Sequence, residues 1–99
     1  MDNKIIVIDD DLDFLEILNE HLINSGFNNI RTEDSPLNVA SLFEKGEDFD
    51  IALIDMTMPD IDGLDLLEII KNISPRTECI MVTAINEARI AVECLKKGA

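Results

Sequence analysis

Three short runs of the chain are apolar without interruption: Ile5–Ile8, Ile51–Ile54 and Cys79–Val82. Such a run fits a strand covered on both faces, as in a parallel sheet; a strand with one wet face would alternate. A weaker strand is expected over Asn29–Thr32, after the turn signal Ser25-Gly26. Between the runs, the apolar spacing lengthens to that of a helix. Phe14, Leu18 and Leu22 recur every fourth residue with Leu15 beside them, which predicts an amphipathic helix over 12–24. Ser35-Pro36 reads as the start of a second helix, with Ser as N-cap and Pro at the first helical position. That helix should run to about Lys45 and stop at Gly46. Leu66, Ile69, Ile70 and Ile73 share one face of a third helix, closed by Pro75. Ala88, Ala91, Val92 and Leu95 share a face of a fourth, with Gly98 where a C-terminal cap would sit.

Strand and helix therefore alternate, which predicts an α/β fold with a parallel sheet and right-handed crossovers. There is no internal repeat or linker, and 99 residues suit one domain. In open sheets of this kind, ligands bind beyond the carboxyl ends of the strands, where the strand order reverses. The first run ends in Asp9-Asp10, the third strand in Asp55 and the fourth in Thr83. If the first and third strands are neighbours, the carboxylates converge on one spot with Thr83 close by.

Charge narrows the partners. With 21 acidic and 8 basic residues the formal net charge is −13, which argues against direct nucleic-acid binding and suits a cation or a basic partner surface. No apolar stretch is long enough to cross a bilayer, and the first strand begins too early for a signal peptide, so the expectation is a soluble, cytoplasmic protein with no membrane contact. Cys79 and Cys94 are too few for a disulfide framework or a zinc site, and both are expected to be reduced core thiols.

A buried carboxylate is costly unless it is paired or coordinates a metal. Three together need a shared proton or a hard divalent cation, and Mg²⁺ takes oxygen ligands of this kind. No histidine or thiol lies at the strand ends, which argues against zinc there. A Mg²⁺ site centred on a carboxylate suits phosphoryl transfer, with the carboxylate as nucleophile and a hydroxyl such as that of Thr83 donating to a phosphoryl oxygen. The plainer alternatives are helix-capping acids. Asp11 can cap the first helix, Asp13 is a first-turn acid, and Asp34, Asp60 and Asp62 read as solvated turn residues. His21 borders the apolar stripe of the first helix and reads as a helix-surface residue.

The strings "VIDDD" after the first strand, "DMTMPDIDG" after the third and "MVTA" at the fourth occur in order at the strand ends. Over essentially its whole length the chain resembles the receiver domain of bacterial two-component response regulators. That resemblance implies a flavodoxin-like (CheY-like) doubly wound sheet of order 2-1-3-4. It implies Asp55 as the phosphoacceptor, Asp10 as a direct Mg²⁺ ligand, Asp9 as an acid holding the ion mainly through water, and the main-chain carbonyl of Thr57 as a further ligand. Thr83 would be the switch hydroxyl, with Pro59 and Gly63 shaping the loop after Asp55. The implied donor is a phosphohistidine on a sensor histidine kinase, with small phosphodonors as substitutes. The implied reader is a downstream effector domain or protein.

The family pattern continues into a fifth strand, ending in a Lys that pairs with the phosphoryl group, and a fifth helix. This sequence ends at "CLKKGA", where that strand would begin, and Lys96 and Lys97 belong to the fourth helix. The expectation is a receiver domain over 1–99, incomplete at its C-terminus, with Cys79–Val82 as an apolar edge. A homodimer could form through that edge or through the fourth helix, whose surface carries Glu87, Arg89, Glu93 and Lys96. Two other classes fit the residues less well. One is a receiver that acts only as an interaction module; the other is a Mg²⁺-dependent phosphatase using Asp9 and Asp11 as an Asp-x-Asp pair.

Overall fold

The computed structural model describes residues 3–55, 62–82 and 85–97. Its elements are β1 (Lys4–Ile8), α1 (Leu12–Asn24), β2 (Asn29–Glu33), α2 (Pro36–Glu44), β3 (Ile51–Asp55), α3 (Gly63–Ile73), β4 (Glu78–Val82) and α4 (Ile85–Lys96). All strand pairs are parallel, and the order is β2-β1-β3-β4. The parallel sheet is the one expected from the alternation, and its order is the doubly wound, flavodoxin-like one that the receiver resemblance implies.

The unbroken apolar runs are explained by helices on both sides of the sheet. Ile5, Val7, Ile51 and Leu53 pack with Leu15, Leu18 and Leu22 of α1 and with Ala88 and Val92 of α4. Their sequence neighbours Ile6, Ile8, Ala52 and Ile54 face the other way, onto Val39 and Phe43 of α2 and Leu66 and Ile70 of α3. Successive strand residues point to opposite faces, so only an uninterrupted run can fill both layers. Each large side chain buried this way contributes roughly 1.5–3 kcal/mol. β2 and β4 are the outer strands among the described residues, and Cys79, Ile80 and Met81 of β4 are half-buried.

The helix ends follow local chemistry. Asp11 is the N-cap of α1, its carboxylate accepting the N–H groups of Asp13 (3.0 Å) and Phe14 (3.3 Å). α1 closes with Phe27 N–H on the Leu22 carbonyl and Gly26 N–H on Ile23. α2 repeats the pattern, with Glu47 N–H on Leu42 and Gly46 N–H on Phe43. Both closures need a left-handed residue, and Gly26 and Gly46 supply it at φ 98° and 91°. Ser35 is the N-cap of α2 by position, but its hydroxyl makes no capping bond; its carbonyl receives Asn38 and Val39 instead.

At the amino-terminal end of β4, Thr77 is fully buried and its hydroxyl donates to the Phe49 carbonyl (2.7 Å). The Ser74 hydroxyl lies 2.7 Å from that of Thr77, and Lys71 Nζ donates to the Thr77 carbonyl (2.8 Å). This network ties the α3–β4 turn to the segment entering β3.

Candidate functional site

Residue 9 follows β1 directly and residue 55 ends β3. The two strands are neighbours, with Ile8 opposite Ile54, so the acids that follow stand side by side. Asp10 is the next residue after Asp9. Ligand oxygens of Asp9, Asp10 and Asp55 all lie within 4.8 Å of one another. Asp9 is buried, Asp55 half-buried and Asp10 exposed, so the group forms a graded mouth at the carboxyl edge of the sheet.

Local bonding holds Asp9 in place. Its Oδ1 accepts the Asp11 N–H (2.9 Å), and its own N–H donates to the Glu33 carbonyl at the end of β2 (3.2 Å). Because Asp11 occupies the cap of α1, neither Asp9 nor Asp10 is needed there. Burial pushes the Asp9 carboxyl up to about 6; the Asp11 N–H pulls the other way, and the charges of Asp55 and Asp10 add to the rise. Carboxylates held together against their own repulsion, with oxygen donors only, fit a hard divalent cation such as Mg²⁺.

The chain matches the response regulator receiver domain family over residues 5–99. It belongs to that family. The receiver is 37% identical over 98 residues to the response regulator protein PilR of Pseudomonas aeruginosa, covering 97% of this chain and 21% of PilR. It is 27% identical over 96 residues to the chemotaxis protein CheY of Listeria monocytogenes, covering 97% of this chain and 80% of CheY. A response regulator receiver domain protein from Clostridium thermocellum superposes with a TM-score of 0.75 at 31% identity, over 98% of this chain and 77% of that one. The chain spans about a fifth to a quarter of the length of PilR and several other curated relatives. Receiver domains are signalling domains of two-component systems rather than enzymes with free turnover. No described helix is long and apolar enough to cross a membrane.

Of the residues singled out in the receiver sequence, Asp9, Asp10 and Asp55 come together, and Gly63 opens α3 in a buried position. Thr57, Pro59 and Thr83 lie outside the described residues, as do Asp60 and Gly98. Asp62 is more than a turn residue: it is the N-cap of α3, accepting the Leu64 N–H at 2.7 Å. Cys94 is no core thiol but exposed, because the inward stripe of α4 runs through Ala88 and Val92 and residue 94 falls on the outer side. Cys79 is half-buried; burial pushes its thiol up, against a smaller pull from Lys71, which favours the protonated thiol. His21 is half-buried rather than on the open surface, and its Nε2 has no hydrogen-bond partner among the described residues.

Proposed function

We propose that this receiver is a phosphorylation switch with Asp55 as the phosphoacceptor. The convergence of Asp9, Asp10 and Asp55 at the carboxyl edge of the sheet carries the reading. A carboxylate oxygen of Asp55 attacks the phosphorus of a phosphohistidine on a sensor kinase. The P–O bond forms as the P–N bond breaks, the electron pair leaves with the imidazole, and an acyl phosphate results. A small phosphodonor such as acetyl phosphate substitutes for the kinase.

The donor set fits Mg²⁺, with Asp10 as a direct ligand, Asp9 acting mainly through water, and Asp55 and the Thr57 main-chain carbonyl as the remaining protein ligands. When bound, the ion offsets the charge of the carboxylates and of the transferring phosphoryl group. Asp9 must give up its proton for this, so its raised pKa makes it the group that couples ion binding to pH.

Thr83 then donates its hydroxyl to a phosphoryl oxygen. Its inward movement reorganises the start of α4 and biases a two-state equilibrium that a downstream effector reads. Glu87, Arg89, Glu93 and Lys96 are exposed on α4 and form the docking or dimer surface. The module works in the cytoplasm, where such kinases present their phosphohistidine.

Intact-protein mass spectrometry with acetyl phosphate tests this, with and without Mg²⁺ and alongside Asp55→Asn. One phosphoryl adduct is expected, dependent on Mg²⁺ and absent from the variant. No adduct on the wild-type chain, or an equal one on Asp55→Asn, would contradict the assignment.

A further inference from the structure

At the sheet edge opposite β4, Arg31 and Glu33 of β2 face α2, and Asn38, Ser41, Leu42 and Lys45 close a cavity of about 160 Å³ between them. The geometry is regular. Residues 31 and 33 share one face of β2, while 38, 41 and 45 recur at the spacing that aligns side chains along a helix. Among the described residues neither Arg31 nor Lys45 makes an ion pair. Glu33, the pocket's acid, accepts the Ser35 backbone N–H (3.4 Å), so cations outnumber acids in the pocket. In a chain with 21 acids and 8 bases, two cations without carboxylate partners in one small pocket run against the composition.

The volume is well below the roughly 300–1,000 Å³ of a pocket for a cofactor or drug-sized ligand. It suits one side-chain-sized group, and the lining selects a carboxylate: Arg31 and Lys45 for charge, Asn38 and Ser41 as neutral donors, Leu42 for a short apolar stem. A lone carboxylate in a pocket open to water gains little from such pairing. The neighbouring strand supplies what is missing. Among the described residues β2 is an outer strand, and the Glu33 carbonyl accepts Asp9 N–H, so backbone groups of Glu33 face β1. By the alternation of a parallel ladder, the N–H and C=O of Thr32 and Ile30 face outward.

We propose that the β2 edge and this pocket together form a docking site for an extended, acidic segment of a partner protein. The segment adds as a strand beside β2 and sets an Asp or Glu side chain between Arg31 and Lys45. Acids elsewhere on the domain are screened beyond about 8 Å at physiological salt, so the pocket's own cations set the local sign.

The test is an amide-shift titration of the ¹⁵N-labelled whole chain with a short peptide alternating Glu and Val, the same peptide with Gln for Glu, and sodium acetate. The Glu peptide is expected to shift amides of residues 30–33 and 38–45. Binding should weaken about tenfold for the Gln peptide, and likewise in Arg31→Gln and in Lys45→Gln. Both positions are exposed and outside the core, so the variants should keep the wild-type spectrum elsewhere. No shifts at these amides, equal binding of the Gln peptide, or unchanged affinity in both variants would overturn the proposal. Acetate reproducing the full shift pattern would also overturn it, since the site would then take a free anion and not a strand.

Discussion

The carboxyl group of Asp9 meets that of Asp55 across two neighbouring parallel strands, with ligand oxygens within 4.8 Å. Strand pairing sets up this meeting: Ile8 lies opposite Ile54, and Asp9 and Asp55 are the next residues along. The receiver thus holds a repulsive arrangement by virtue of the two apolar layers that fix β1 and β3.

The first consequence is a pH dependence of stability in the metal-free protein. The Asp9 carboxyl titrates at about 6 in the folded chain, above the ~3.9 of an unfolded Asp. The folded state therefore holds a proton that the unfolded state has lost. The contribution of this group is most favourable below about pH 4, declines as pH rises through 6, and is flat above. Urea unfolding in EDTA should show Asp9→Asn more stable than wild type at pH 7, by about 1 kcal/mol or more. The advantage should shrink toward pH 4. A constant difference across that range would mean that Asp9 ionisation is not the cause.

Mg²⁺ should reverse the ranking. Ion and proton compete for Asp9, so calorimetric Mg²⁺ affinity should fall as pH drops below about 6. At pH 7 Asp9→Asn should bind about 10–100-fold more weakly than wild type, even though it is the more stable protein without metal. Equal affinity in the two proteins would remove Asp9 from the ion site.

Thr77 offers a test at the opposite end of the sheet. Its buried hydroxyl holds the Phe49 carbonyl, and Thr77→Val keeps the shape while leaving that acceptor unpaired. A loss of about 1–3 kcal/mol is expected in urea unfolding. Mg²⁺ binding, measured where the variant is fully folded, should change little.

Gly46 ends α2 at φ 91°, with nothing within 4 Å of where a Cβ would stand. Gly46→Ala should therefore cost about 1 kcal/mol through backbone conformation alone, with no clash to relieve. A neutral result would show that α2 can close without the left-handed residue.

Much of this fold is legible in one dimension. The helix expected over 12–24 is α1 to the residue, because Asp11 starts it and Gly26 stops it within three residues of each end. The strands at 5–8 and 51–54 follow from unbroken apolar runs. The meeting of Asp9 with Asp55 is not legible that way: it needs β1 beside β3, and periodicity says nothing of strand order. The exposure of Cys94 is not legible either, because an apolar residue next to a stripe looks like part of it until the neighbouring helix fixes the inward angle. The capping role of Asp62 was hidden among other loop acids. Arg31 and Lys45 are 14 positions apart and meet only through the packing of α2 on β2, so no local signal marks their pocket.

The central claim is that Asp55 carries the phosphoryl group. The most direct test is to phosphorylate the chain with acetyl phosphate and Mg²⁺, reduce the acyl phosphate with borohydride, and sequence the peptides. The account predicts reduction of the aspartyl side chain to homoserine at position 55 alone. Homoserine at position 9, 10 or 11 in place of 55, or a phosphorylated chain with no reducible acyl phosphate, would contradict it.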